Sequence, residues 1–118
     1  MHPPAPRAFP KSARVRTRRD FLAIQGGGRK LHTDSFLVFV APGPSGGKRL
    51  GITVSKRVGN AVVRNRVKRL VREIYRLRQA AFPVGADVVF VAKRSAAELE
   101  FARADQEVER LCARAFRR

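Results

Sequence analysis

The sequence predicts an α+β domain in which helices pack on a four-stranded sheet, in the element order αβββαβα. Three observations carry this. The chain has 118 residues, the length of one domain, and 44% hydrophobic content, enough for a core. Four short apolar segments bounded by turn residues read as strands. Three segments with helical spacing of apolar residues surround them, the longest between Asn60 and Pro83. No internal repeat and no long linker divides the chain, so residues 14–118 are expected to form a single domain.

Residues 1–13 precede it as an arm rich in proline and base, expected to be mobile in the free protein. Residues 18–25 then form a short helix with Phe21, Leu22 and Ile24 as its apolar side chains. Gly26, Gly27 and Gly28 stop it. A short strand follows over residues 29–33 and a stronger one over 35–41. In the latter, Phe36, Val38 and Val40 share one face, while Leu37 and Phe39 share the other. After a turn of Pro, Gly and Ser at 42–47, residues 49–55 form the next strand. Leu50, Ile52 and Val54 point one way, and the small or polar Gly51, Thr53 and Ser55 the other. These two strands read as a hairpin.

Asn60 is a good N-cap for a helix over 61–79. Val63, Val67, Leu70, Ile74 and Leu77 form its apolar stripe. At about 100° per residue, Arg64, Asn65, Lys68, Arg69, Arg72 and Arg76 fall on the opposite arc. Residues 87–92 form a strand apolar on both faces, as a covered central strand must be. The last helix spans 102–116, with Ala104, Val108, Leu111, Cys112 and Ala115 inward and Glu107, Glu109, Arg110 and Arg114 outward.

Charge narrows the function. Twenty-six Lys and Arg against nine Asp and Glu give a net charge of +17, which points to a polyanionic partner. Twenty of the bases are Arg, whose planar fork grips phosphate and stacks on bases. The excess lies entirely in residues 1–97, because residues 98–118 carry five bases and five acids. Residues 60–78 alone hold seven bases against Glu73.

Other classes fall away. One cysteine, Cys112, excludes a disulfide framework and a thiolate zinc cluster, and fits a reducing compartment. No apolar run is long enough to span a membrane, and the N-terminal residues lack the apolar run of a signal peptide. A cytoplasmic protein is expected. His2 and His32 have no neighbours in metal-ligand spacing. Gly46-Gly47-Lys48 fails as a phosphate loop, since Pro42 stands at the first glycine and Arg49 at the Ser or Thr. The acids Glu98, Glu100, Asp105, Glu107 and Glu109 read as a solvated face near the final helix's N-terminus. No catalytic constellation remains.

What stands out is the run from Ser55 through Lys56, Arg57, Asn60, Arg64, Asn65 and Arg66 to Lys68 and Arg69. Solvated helix faces mix charge signs; this arc has one, and its bases repel each other unless an anion lies on them. Asn65 adds hydrogen bonds without charge. The regular stripe beneath, without Trp or Phe anchors, favours nucleic acid over a membrane surface.

That run resembles the signature of the bacterial ribonuclease P protein family. Arg64-Asn65-Arg66 lies inside a stretch from Gly59 to Arg72, preceded by Val54-Ser55-Lys56-Arg57. The similarity extends in element order from about Arg14 to Phe116 and includes Asp20-Phe21. The resemblance implies a left-handed βαβ crossover, against the usual hand of such units. It also implies a role as the protein subunit of an endoribonuclease that removes the 5′ leader of precursor tRNA. The catalytic RNA subunit would perform the cleavage and hold the magnesium ions (Mg2+).

Carried over residue by residue, Lys56, Arg57, Asn60, Arg64, Asn65, Arg66, Lys68, Arg69 and Arg72 match the positions expected to bind RNA. Phe21 and Phe39 match aromatic positions of the leader-binding cleft, and Thr53 and Ser55 lie on the strand face expected to line it. Two positions depart. Gln25 stands where the family often has a second aromatic, and Phe39 where many members have Tyr. The partners implied are the catalytic RNA and precursor tRNA, with neither membrane nor DNA. A helix-turn-helix reader is disfavoured because a strand precedes the basic helix. A ribosomal or other structural RNA-binding protein is the alternative, since charge and topology suit it equally.

Overall fold

The computed structural model describes residues 14, 15, 17–43 and 49–116; the expected mobile arm of residues 1–13 lies outside them. The element order is as expected. Helix α1 (Arg18–Gly27) leads to strands β1 (Arg29–His32), β2 (Phe36–Pro42) and β3 (Leu50–Thr53). Helix α2 (Ala61–Arg78), strand β4 (Ala86–Ala92) and helix α3 (Phe101–Ala115) complete the domain. Short 3-10 turns at Gln79–Ala81 and Arg94–Glu98 flank β4. No helix among the described residues is long and apolar enough to cross a membrane.

Local signals explain most boundaries. Thr17 Oγ1 accepts the amide of Asp20 at 3.1 Å and caps α1. That helix continues through Gly26 and Gly27 and ends where the Gly28 amide donates to Ile24 O at 2.8 Å. The Asn60 side chain accepts the Val63 amide at 3.0 Å and opens α2. Gly85, at φ 76°, adopts the left-handed turn conformation that starts β4.

The strand order is β1-β2-β4-β3. Strands β1 and β2 form an antiparallel hairpin, β2 pairs antiparallel with β4, and β3 pairs parallel with β4. The expected hairpin of residues 35–41 with 49–55 is therefore corrected, because β4 lies between those strands. Burial decides this order. Residues 86–90 of β4 are all buried, which only a central position allows, whereas β3 presents Gly51 and Thr53 on one face and suits an edge.

Each sheet face has its own core. On one, α2 and α3 cover Phe36, Val38, Val88 and Phe90, with Val67, Val71, Ile74, Tyr75, Val108 and Leu111 above them. Phe36 and Phe90 meet edge to face at 5.6 Å. Burial pushes the Tyr75 hydroxyl up to about 12. On the other face α1 covers a smaller cluster of Val15, Ile24, Phe39, Ala41 and Val89. Val15 is a core residue that the proline-rich N-terminal sequence concealed.

Two expected orientations are corrected. Leu77 is 57% exposed, while Val71 and Tyr75 are buried. Helix α2 is rotated toward α3, where Arg78 pairs with Asp105 and holds its carboxyl below the usual carboxylate range. Glu107, expected outward, is buried and accepts the Ser35 amide at 3.0 Å and the Ser35 hydroxyl at 2.8 Å. It ties α3 to the start of β2, so it belongs to no solvated acidic face.

One further tie fixes the sheet edge. Asp87, fully buried, accepts three bonds from Arg49: the amide at 3.1 Å, Nε at 3.1 Å and Nη2 at 2.7 Å. Arg49 also reaches Asp20 of α1 at 3.1 Å. The hydrogen bond to Asp87 raises the Arg49 pKa above its ordinary value. Strands β3 and β4 and helix α1 thus meet on one guanidinium.

Candidate nucleic-acid interface

Helix α2 carries seven bases, and two of them are committed to acids. Arg78 holds Asp105, and Arg76 holds Glu73, the helix's one acid, at 2.8 Å. Arg64, Arg66, Lys68, Arg69 and Arg72 have no ion-pair partner among the described residues. Asn65, Arg66, Arg69 and Arg72 are exposed, and Arg64 and Lys68 half-buried. Lys56 and Arg57 are exposed in the turn before the helix. Mutual repulsion at this density costs stability and is relieved by a bound polyanion.

Not every expected ligand-binding side chain is free. The Asn60 carboxamide oxygen is occupied as the N-cap. Arg64 Nη1 donates to Gly59 O at 3.0 Å. Arg66 Nη1 donates to Leu99 O at 2.9 Å, and its Nη2 donates to Ala97 O. Arg66 therefore clamps α2 to the segment that enters α3. A guanidinium has five N–H groups, so each Arg keeps donors for phosphate.

The two flanks of α2 differ. On one, Lys68 and Arg72 face a cleft of about 120 Å3 lined also by Arg14, Val15, Phe21, Leu50 and Ile52. This cleft lies at the outer edge of β3, where Arg14 bridges Leu50 and the Val15 amide donates to Leu50 O at 3.0 Å. Phe21 is half-buried and lies over Gly51, where a Cβ would come within 2.9 Å of its ring and of Val15. Glycine is what allows the ring to sit against the strand. Thr53 is half-buried and Ser55 exposed farther along the same edge.

Phe39 is 7% exposed and packs in the core beneath α1. It does not line the cleft, because β4 stands between β2 and the β3 edge, and it offers no open stacking face; Phe21 offers the accessible ring. The alternation of β2 puts Phe39 on the α1 side, as the sequence indicates, but only the packing of α1 shows how thoroughly it is covered.

On the other flank, Arg66, Arg69, Leu70 and Glu73 line a shallow groove of about 240 Å3 with Phe101. Sequence reasoning missed Phe101, at the first position of α3. Its signal was a lone aromatic ahead of the apolar stripe that begins at Ala104.

Comparison with known proteins follows this geometry. A family model described as Ribonuclease P matches residues 9–116. The chain is 50% identical over 104 residues to the ribonuclease P protein component of Desulfovibrio desulfuricans, covering 85% of this chain and 80% of that protein. The RNase P protein structure from Staphylococcus aureus superposes with a TM-score of 0.79 at 28% identity, covering 90% of this chain and 97% of that one. The RNase P protein from Thermotoga maritima does so with a TM-score of 0.76 at 33% identity, covering 86% and 96%.

Proposed function

The chain belongs to the ribonuclease P protein family, and from that premise we propose how it serves tRNA processing. It binds the catalytic RNA of ribonuclease P across α2 and the turn at Lys56 and Arg57. It holds the 5′ leader of precursor tRNA in the cleft between Phe21 and Lys68. The assembled ribonucleoprotein then cuts the leader as an endoribonuclease in the cytoplasm, with the RNA carrying the chemistry. The observation that supports this reading is the set of five α2 bases without carboxylate partners among the described residues, two of which, Lys68 and Arg72, line a cleft with Phe21.

The role of each part follows from its chemistry. The bases neutralise phosphate and release counterions, which supplies affinity without sequence preference. Phe21 offers a π-face to an unpaired base. Magnesium belongs with the RNA in this reading. Among the described residues there is no group of three or more His, Cys, Asp or Glu that could hold a metal ion.

Reconstitution tests the proposal. Precursor tRNA is incubated at low magnesium with ribonuclease P RNA, with and without the protein. The protein is expected to speed leader removal with the RNA and to cut nothing alone. Cleavage by the protein alone overturns the division of labour. Co-purification with ribosomal particles instead of a ribonuclease P RNA would make it a structural RNA-binding protein.

In the same assay Phe21→Ala should weaken precursor tRNA binding by about 1–3 kcal/mol, the worth of one base stack. Mature tRNA, which lacks the leader, should bind as before. Equal losses for both would remove the leader from the cleft.

A further inference from the structure

We propose that Phe101 and Leu70, rimmed by Arg66 and Arg69, form a stacking platform for an unpaired base of the RNA that docks on α2. The inference rests on the RNA-binding reading above and adds a second nucleotide site on the opposite flank of the helix from Phe21.

Four observations converge on it. Phe101 is 40% exposed, unusual for an aromatic ring that has a core within reach. It shares its groove with Leu70, so the floor is apolar. The rim supplies two guanidinium groups for the phosphates on either side of a seated base. The rim's single acid, Glu73, is already neutralised by Arg76 at 2.8 Å. A base flanked by phosphates matches this pattern of flat apolar floor and cationic rim. A second copy of this chain matches it poorly, since each copy brings a net charge of +17.

Arg66 has a positioning role here. Its bonds to Leu99 O and Ala97 O fix the backbone immediately before Phe101 and so set the ring against α2. The two flanks of α2 then repeat one device. Lys68 and Arg72 accompany Phe21, while Arg66 and Arg69 accompany Phe101.

Binding to ribonuclease P RNA is measured across a salt series for wild type, Phe101→Ala, Phe101→Leu and Phe101→Tyr. Circular dichroism and melting report on folding. The Ala and Leu variants are expected to lose about 5- to 150-fold in affinity, one stack of roughly 1–3 kcal/mol. Tyr keeps the flat ring and should bind within about twofold of wild type. The salt slope should not change, because no phosphate contact is removed.

Wild-type affinity in Phe101→Leu overturns the platform, and so does a salt slope that falls with the affinity. If Phe101→Ala does not fold, the Leu and Tyr variants decide, since both fill the position. Self-association of the free protein that Phe101→Leu abolishes would assign the patch to a second copy and overturn the proposal. Failure of the wild-type protein to bind ribonuclease P RNA overturns the RNA-binding reading as well. Wild-type binding with an indifferent Phe101 overturns this inference alone.

Discussion

Arg49→Ala is expected to cost about 3–5 kcal/mol of folding stability, the range for removing one partner of a buried ion pair. The reason is what the substitution leaves behind. Asp87 is fully buried and takes three of its bonds from Arg49, so truncation strands a carboxylate beneath the sheet edge. Among the described residues, the backbone amide of residue 49 would remain as a donor to it. The link from Arg49 to Asp20 at 3.1 Å goes too, loosening α1.

Chemical denaturation measures the loss. A double replacement, Arg49→Met with Asp87→Leu, should recover most of it, because apolar substitutes bury no charge. A single-variant loss below about 1 kcal/mol would show that the pair is screened by solvent and holds little together.

Arg69→Ala with Arg72→Ala is the second large effect, and it falls on binding. Both side chains are exposed, and neither makes a hydrogen bond or ion pair among the described residues. Their removal should not lower the melting temperature, because it relieves like-charge repulsion along the arc, so any loss of affinity is not a loss of fold. Affinity for the catalytic RNA should fall on the order of a hundredfold or more, from two charge-assisted phosphate contacts of about 1.5–3 kcal/mol each. The plot of log affinity against log salt should become shallower by roughly 1.4–1.8, at about 0.7–0.9 per contact. An unchanged slope would mean that phosphate does not lie on this face. Arg66→Ala should behave differently, lowering stability as well as affinity, because it also releases the backbone at Leu99 and Ala97.

Local features were legible in the sequence. Asn60 marked the start of α2, the period-two alternation separated Phe36, Val38 and Val40 from Phe39, and the one-signed arc from Arg64 to Arg72 marked the candidate interface. Features set by distant partners were not. Nothing near residues 35–55 shows that β4, arriving some thirty residues later, takes the place beside β2. Glu107 reads as solvated until Ser35, 72 positions away, supplies two donors. The α2 stripe pointed to Leu77 because periodicity gives a face but not which edge of it a second helix covers. Arg78 and Asp105 settle that edge. Within the site, residue type identified which side chains suit RNA. Only the fold distributed them, sending Lys68 and Arg72 to one flank and Arg66 and Arg69 to the other.

The seat of β4 between β2 and β3 also imposes an order in time. While the chain is being synthesised, β1 and β2 can form their hairpin, yet β3 has no strand to join until Ala86–Ala92 leaves the ribosome. Through that interval the inner edge of β2 is unpaired, Arg49 lacks Asp87, and the most basic segments are already synthesised. Closure of the sheet is a non-local event of the kind that sets folding rates. The nascent chain exposes its basic segments before it is a domain, and the arrival of β4 completes the sheet.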